Sequence, residues 1–162
     1  MDVLIRQVRP DDLDAVTRVE SVCFPKAEAA ARDSFSQRIE VFPGSFFVAV
    51  KDGEIIGFIN GCVTDDRTIC DEMFENTECH KTDGAYQSIF GLDVVPEYQH
   101  QGLASLLMEH LIRDARKKGR KGLILTCKDR LIGFYEGFGY RSLGVSESVH
   151  GGAVWSDMIL EF

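Results

Sequence analysis

Three features of the 162-residue sequence predict a mixed α/β (α+β) fold. Short apolar runs of strand character alternate with amphipathic helical runs along the whole chain, so helices must pack against a sheet. Turn dipeptides at Asp52-Gly53 and His150-Gly151 join successive strands as hairpins, which makes the sheet mixed rather than purely parallel. The third feature is residues 88–115, SIFGLDVVPEYQHQGLASLLMEHLIRDA, which read as a buried strand, a tight turn and a helix.

Taken in order, residues 3–8 form a first strand, and Pro10-Asp11-Asp12 starts a helix with Leu13, Val16, Val19 and Val22 on one face. Cys23-Phe24-Pro25 breaks it. Residues 27–42 are expected as a second helix, with Ala31, Phe35, Ile39 and Phe42 spaced for burial, ended by Pro43-Gly44. Residues 45–50 and 54–63 are the strands of a hairpin around Asp52-Gly53. Residues 64–84 are polar and acidic, and read as a loop over the sheet with a short helix at 70–75; loops of this length in compact domains are often functional.

Residues 88–95 are then one strand, stopped by Pro96. The helix after it carries Leu103, Leu106, Leu107, Leu111 and Ala115 on its apolar face. A strand at 122–127 and a short helix at 129–137 follow. Phe138-Gly139-Tyr140 turns the chain into a strand ending near Ser146, and residues 153–162 close the sheet. With no repeat, low-complexity run or linker, residues 1–162 are expected to be one domain.

Composition narrows the function classes. The formal net charge of −8 argues against nucleic acid as a partner and favours a cationic small molecule or basic peptide. Arg116-Lys117-Lys118 reads as a solvated helix end. No apolar run reaches membrane-spanning length, and the N-terminal residues lack a signal-peptide core, so no membrane partner is expected. Five cysteines without regular spacing suggest reduced thiols and a cytoplasmic location. Cys70, Cys79 and His80 lack the paired spacing of a zinc site, so no metal is expected. A homodimer is compatible with all of this.

The turn Gln99-His100-Gln101-Gly102-Leu103-Ala104 precedes a helix whose N-terminal N–H groups make an anion site, and Gly102 and Ala104 leave room for a phosphate. Neither G-x-x-x-x-G-K-[ST] nor a strand-borne G-x-G-x-x-G occurs. The pattern Gln-x-x-Gly-x-Ala between strand and helix resembles the acetyl-CoA signature of the GNAT superfamily of N-acetyltransferases. The element order β-α-α-β-β-β-α-β-α-β-β resembles the GNAT fold over essentially the whole chain, a twisted central sheet with roughly four flanking helices. Leu125-Thr126-Cys127-Lys128-Asp129 with Phe134-Tyr135-Glu136-Gly137-Phe138-Gly139-Tyr140 is similar to the arylalkylamine N-acetyltransferase branch.

The resemblance implies acetyl-CoA as cosubstrate. Leu92, Asp93 and Val94 would contact its pantetheine arm, and Gln99, His100, Gln101, Gly102, Leu103, Ala104 and Ser105 its pyrophosphate. Tyr135 reads on its own as a core aromatic like Phe134 and Phe138, and the resemblance implies instead that it is the family's leaving-group acid. Cys127 reads as packing, since no adjacent base would make it a nucleophile. The animal enzymes of the branch carry two histidines where this chain has Ser88 and Phe90, so their proton relay does not carry over. Candidate bases are His80, His150 and Glu28. Phe24, Glu28, Ser88 and Phe90 are expected around the acceptor, a small-molecule primary amine of cationic character. The alternatives are a protein or peptide N-acetyltransferase and a non-catalytic acyl-CoA-binding module.

Overall fold

The computed structural model describes residues 2–148 and 150–162, the side chain of His150 excepted. Its strands are β1 (Leu4–Gln7), β2 (Phe46–Lys51), β3 (Glu54–Asn60), β4 (Val63–Thr64), β5 (Tyr86–Ile89), β6 (Gly91–Val94), β7 (Gly122–Cys127), β8 (Arg141–Val145) and β9 (Ser156–Glu161). The helices are α1 (Leu13–Cys23), α2 (Arg32–Val41), α3 (Asp71–Glu75), α4 (Leu103–Lys117) and α5 (Ile132–Glu136). One sheet runs β1-β2-β3-β6 and the other β4-β5-β7-β9-β8. Every pairing is antiparallel except β5 with β7, so the architecture is the mixed, mostly antiparallel one expected.

The apolar spacing of the sequence closes this core. Val16 and Val19 of α1, Phe35 of α2, and Phe46 and Phe58 of the β2–β3 hairpin are wholly buried. The Phe58 ring lies 5.5 Å, centroid to centroid, from both Phe35 and Phe46. From α4, Leu107, Met108 and Leu111 are likewise fully buried. Each such side chain contributes about 1.5–3 kcal/mol by leaving water.

Four boundaries differ from those the sequence suggests. The strand expected at 88–95 is two strands in two sheets, β5 and β6, with Phe90 between them. A continuous apolar run carries no signal for such a change of partner. The strand expected at 54–63 stops at Asn60, because the chain bends at Gly61 and resumes as β4. The helix expected from Ala27 begins at Arg32, since the Ala30 N–H is taken by Glu20 Oε2 at 2.8 Å instead of by a helical carbonyl. The final strand begins at Ser156 rather than Ala153, where its pairing with Val145 starts.

Gly61 lets β3 and β5 cross closely. A Cβ there would lie 1.9 Å from the Ser88 carbonyl oxygen. Gly61→Ala is therefore expected to destabilise the fold by about 1–3 kcal/mol, the usual cost of overpacking, read as a lower urea midpoint with unchanged slope. An unchanged midpoint would mean that this crossing relaxes freely.

Candidate active site

The change of sheet at Phe90 opens the cleft. β5 follows β7 in parallel up to Ile89 opposite Leu125; beyond that, β6 turns to pair with β3 while β7 pairs with β9. Thr126 and Cys127 on one side thus face Gly91 and Leu92 on the other across a gap that belongs to a cavity of about 550 Å³. Val95 N–H donates to Ile56 O at 2.9 Å. The alternation of an antiparallel ladder then turns the backbone groups of Leu92 and Val94 away from β3, toward the gap. The Val94 carbonyl already accepts from Gln99 Nε2 (2.9 Å) and Cys23 Sγ (3.3 Å).

At the end of β6 the chain makes the turn into α4. His100 (φ 62°) and Gly102 (φ 85°) both adopt left-handed backbone, and a Cβ at Gly102 would meet nothing within 4 Å. What the position requires is therefore the conformation, while the open space is where an anion can approach. The first bond of α4 runs from Leu106 N–H to Gly102 O at 3.1 Å, so the N–H groups of Leu103, Ala104 and Ser105 are orphan donors at the positive helix end. The Gln101 side chain donates to Glu97 O at 3.3 Å and braces the turn. Backbone donors, a helix dipole and a free strand edge suit a pyrophosphate and the amide-bearing arm of coenzyme A.

Tyr135, Cys127 and Leu131 also line the cavity. Burial raises the Tyr135 phenol above its usual range, with Cys127 and Asp93 adding to it. Burial, aided by Asp129, pushes the Cys127 thiol up to about 11, so it is a protonated packing group. The same cavity is lined by Phe24, Glu28 and Phe90, which the sequence places around an acceptor, by Leu92, expected against the pantetheine arm, and also by Glu20, Arg38, Asp71, Phe74, Glu75 and Trp155. Arg38 is 4% exposed; it donates to Asn60 Oδ1 (3.1 Å) and Phe74 O (2.9 Å), and its guanidinium lies 4.8 Å from the Phe90 ring centre. Burial lowers its pKa to about 10, so it stays cationic.

Other expected residues lie elsewhere. Ser88 is wholly buried with its hydroxyl on Cys62 O at 2.8 Å, outside the cavity wall. The Asp93 side chain points to the α1 face of β6 and is 1% exposed. Burial, then the neighbouring Glu20, raises its pKa well above the carboxylate range. His80 belongs to a different cavity, of about 510 Å³, where its Nδ1 accepts from Val63 N–H at 3.0 Å and burial lowers its pKa. Glu28 pairs with Lys128 at 2.9 Å. The side chain of His150 lies outside the described residues. Glu20 and Arg38 were legible in principle, as charged residues on the apolar faces of helices; nothing local signals Asp71 or Trp155.

The profile of the Acetyltransferase (GNAT) family matches residues 13–140. The chain belongs to the GNAT acetyltransferase family. Among curated proteins it is 28% identical over 132 residues to the Bacillus subtilis (strain 168) protein named "Probable hydrolase YhcX", covering 76% of this chain but 25% of that one. To serotonin N-acetyltransferase of Mesocricetus auratus it is 23% identical over 143 residues, 86% of this chain and 68% of that enzyme. Among solved structures, the GphF GNAT-like decarboxylase in complex with isobutyryl-CoA superposes with a TM-score of 0.84 at 24% identity, over 98% of each chain. Family membership supports acyl-CoA-dependent acyl transfer as the reaction type of this domain. Among its described residues no helix is long and apolar enough to cross a membrane.

Two outcomes follow from this geometry. Gly102→Val forces a β-branched residue into left-handed backbone and crowds the anion site, so acetyl-CoA affinity by calorimetry is expected to fall at least about ten-fold while the circular dichroism of the fold persists. Unchanged affinity would remove the turn from the binding site. The raised pKa of Asp93 means that above the unfolded value of about 3.9 the native state holds a proton the unfolded chain has released. Wild-type stability should thus fall, relative to Asp93→Asn, by up to about 1.4 kcal/mol per pH unit from pH ~4 up to the native pKa. Parallel stability–pH curves for the two proteins would show that Asp93 is ionised in the fold.

Proposed function

We propose that the chain transfers the acetyl group of acetyl-CoA to a small cationic primary amine, by direct attack of the amine on the thioester. The observation that carries this reading is the make-up of the acceptor end. Glu20, Glu28, Asp71 and Glu75 line it with Arg38 and the rings of Phe24, Phe74, Phe90 and Trp155, and Lys128, paired with Glu28 and set over Trp155, leaves the acids in excess of the cations. Carboxylates attract an ammonium, and aromatic faces cover its apolar body or its charge.

Ser148, Gly151 and Trp155, between β8 and β9, roof this end. A Cβ at Gly151 would lie 2.5 Å from Glu28 Cγ, and the Ser148 hydroxyl donates to Asp71. The roof joins the connection after α1 to α3, which favours a small acceptor over a polypeptide threaded through the cleft. The likeness to serotonin N-acetyltransferase agrees with a compact amine of the arylalkylamine type. The decarboxylase likeness suggests an acid-bearing acyl group instead, but a second carboxylate would meet the same four acids.

When bound, acetyl-CoA supplies the electrophilic carbonyl. The backbone of Leu92 and the Val94 N–H would hold the pantetheine arm, and the N–H groups of Leu103, Ala104 and Ser105 would orient the pyrophosphate. Two reactants held in line gain several kcal/mol over reaction in solution, on the order of 7 or more at best. The Tyr135 phenol keeps its proton at every working pH, because burial raises its pKa, and donates it to the departing sulfur.

A thiol-release assay with acetyl-CoA against a panel of amines and basic peptides tests the reading. Turnover with small amines is expected, with kcat/KM rising toward the amine's own pKa, since only about one alkylamine in a thousand is neutral at pH 7. Activity confined to basic peptides would overturn the small-acceptor reading. Tyr135→Phe should keep acetyl-CoA affinity and lower kcat roughly 10²-fold. Wild-type turnover by this variant would reduce Tyr135 to a core ring, and acetyl-CoA binding without any transfer by the wild type would favour a non-catalytic acyl-CoA-binding module.

A further inference from the structure

Behind the acceptor end lies a buried polar cluster that acetyl transfer as described above does not use. Glu20 reaches it from α1, Asp93 from β6 and Asn60 from β3. Glu20 Oε1, Asn60 Nδ2 and both Asp93 carboxyl oxygens are buried and have no hydrogen-bond partner among the described residues. They converge on Gly91: a Cβ there would lie 3.1 Å from Asp93 Oδ1, 3.6 Å from Asn60 Nδ2 and 3.7 Å from Glu20 Oε1. Gly91 and Glu20 both line the cavity, so the missing side chain leaves the pair beside the acceptor space. The other Glu20 oxygen accepts from Ala30 N–H at 2.8 Å, which fixes the carboxyl group in place.

We propose that Glu20 is the proton acceptor for the attacking amine, and that Asp93 is its positioning partner, sharing one proton with it. This rests on the acetyl-transfer reading and supplies the base that Ser88, Phe90 and His80 do not. One proton between two buried carboxyl groups leaves one negative charge, which offsets the Arg38 guanidinium facing the pair from α2. Asp93 in turn acts on Cys23 of α1 and Tyr135 of α5, and burial keeps both protonated: Cys23 is pushed up to about 12, and Tyr135 above its usual range. Burial and the neighbouring Glu20 likewise favour the protonated form of Asp93.

The step balances. The acceptor enters as an ammonium and gives one proton to the Glu20 carboxylate, which exposes the nitrogen lone pair. The N–C bond forms at the thioester carbonyl and the C–S bond breaks. The thiolate takes the Tyr135 proton, and Tyr135 recovers one from the amide nitrogen as it loses its positive charge. Glu20 returns its proton to solvent through the cavity. The sum is ammonium plus acetyl-CoA giving acetamide, coenzyme A thiol and one proton.

Glu20→Gln and Asp93→Asn keep the shapes of the side chains and separate the two roles. With an amine that the wild type acetylates, Glu20→Gln is expected to lower kcat about 10²-fold or more, with KM for acetyl-CoA within about two-fold of wild type. Asp93→Asn mimics the protonated partner, so its kcat should stay within about ten-fold of wild type, and its kcat–pH profile should lose one of the ionisations the wild type shows. Infrared difference spectra between neutral and alkaline pH should show a protonated carboxyl band in the wild type that is absent in Asp93→Asn. Should Glu20→Gln fail to fold, the profile and the band of Asp93→Asn decide alone. Wild-type kcat in folded Glu20→Gln, an unchanged profile in Asp93→Asn, or no carboxyl band would overturn the proposal and leave the pair as the counterion of Arg38. A wild type that acetylates no amine would instead overturn the acetyl-transfer reading itself.

Discussion

The structure depends on one backbone event, the exchange of hydrogen-bond partners at Phe90. Up to Ile89 the chain is a parallel neighbour of β7; from Gly91 it is an antiparallel neighbour of β3. A strand cannot satisfy both ladders once they diverge, so one edge must be left open. The parallel pairing also demands a crossover, and α4 is that crossover. Its N-terminus therefore starts where the open edge ends. The anion site and the free edge are two results of the same topology, and Gly61 permits it by letting β3 and β5 approach within backbone contact.

Keeping that edge open places charge inside the protein. Arg38, Glu20 and Asp93 are all at least nine-tenths buried around the gap. Removing one partner of such a buried set typically costs about 3–5 kcal/mol, while a well-packed apolar replacement is often harmless. Stability alone is thus a weak reason for these residues to be there. Arg38 spends its donors on Asn60 and on the Phe74 carbonyl, tying β3 to α3, and its face lies over Phe90 at the sheet change. It locks α3 to the point where the strands part.

The parts of this arrangement that were readable in the sequence are those set by local chemistry. The helix after Gly102, the hairpin at Asp52-Gly53 and the aromatic Phe134–Tyr140 stretch each carry their own turn or spacing signal. The sheet change at Phe90 does not, because SIFGLDVV has the same apolar character whichever ladder it joins. The alanine run before Arg32 has high helix propensity, and the Glu20 carboxylate overrides it through a single hydrogen bond to Ala30. Asp93, a lone carboxyl group in an apolar strand, and Glu20, on the buried face of α1, were visible anomalies. Their pairing is a fact of tertiary structure alone, as is the contact of Ser148 with Asp71 across 77 residues.

Desolvation acts in one direction throughout the cleft. It raises Tyr135, Cys127, Cys23 and Asp93, so each of these acids keeps its proton. For the proposed amine acceptor, the same environment disfavours the ammonium and so would help it become the neutral nucleophile. The carboxylates of the acceptor end act the other way, since a negative charge close to an ammonium holds its proton on. Attraction of the cation and its deprotonation are therefore in conflict wherever a fixed carboxylate does only the first. A carboxylate that can itself take the proton resolves the conflict, because its charge disappears at the moment the amine loses its own. In the mechanism proposed above Glu20 does both, with Asp93 holding a proton beside it and an open face at Gly91.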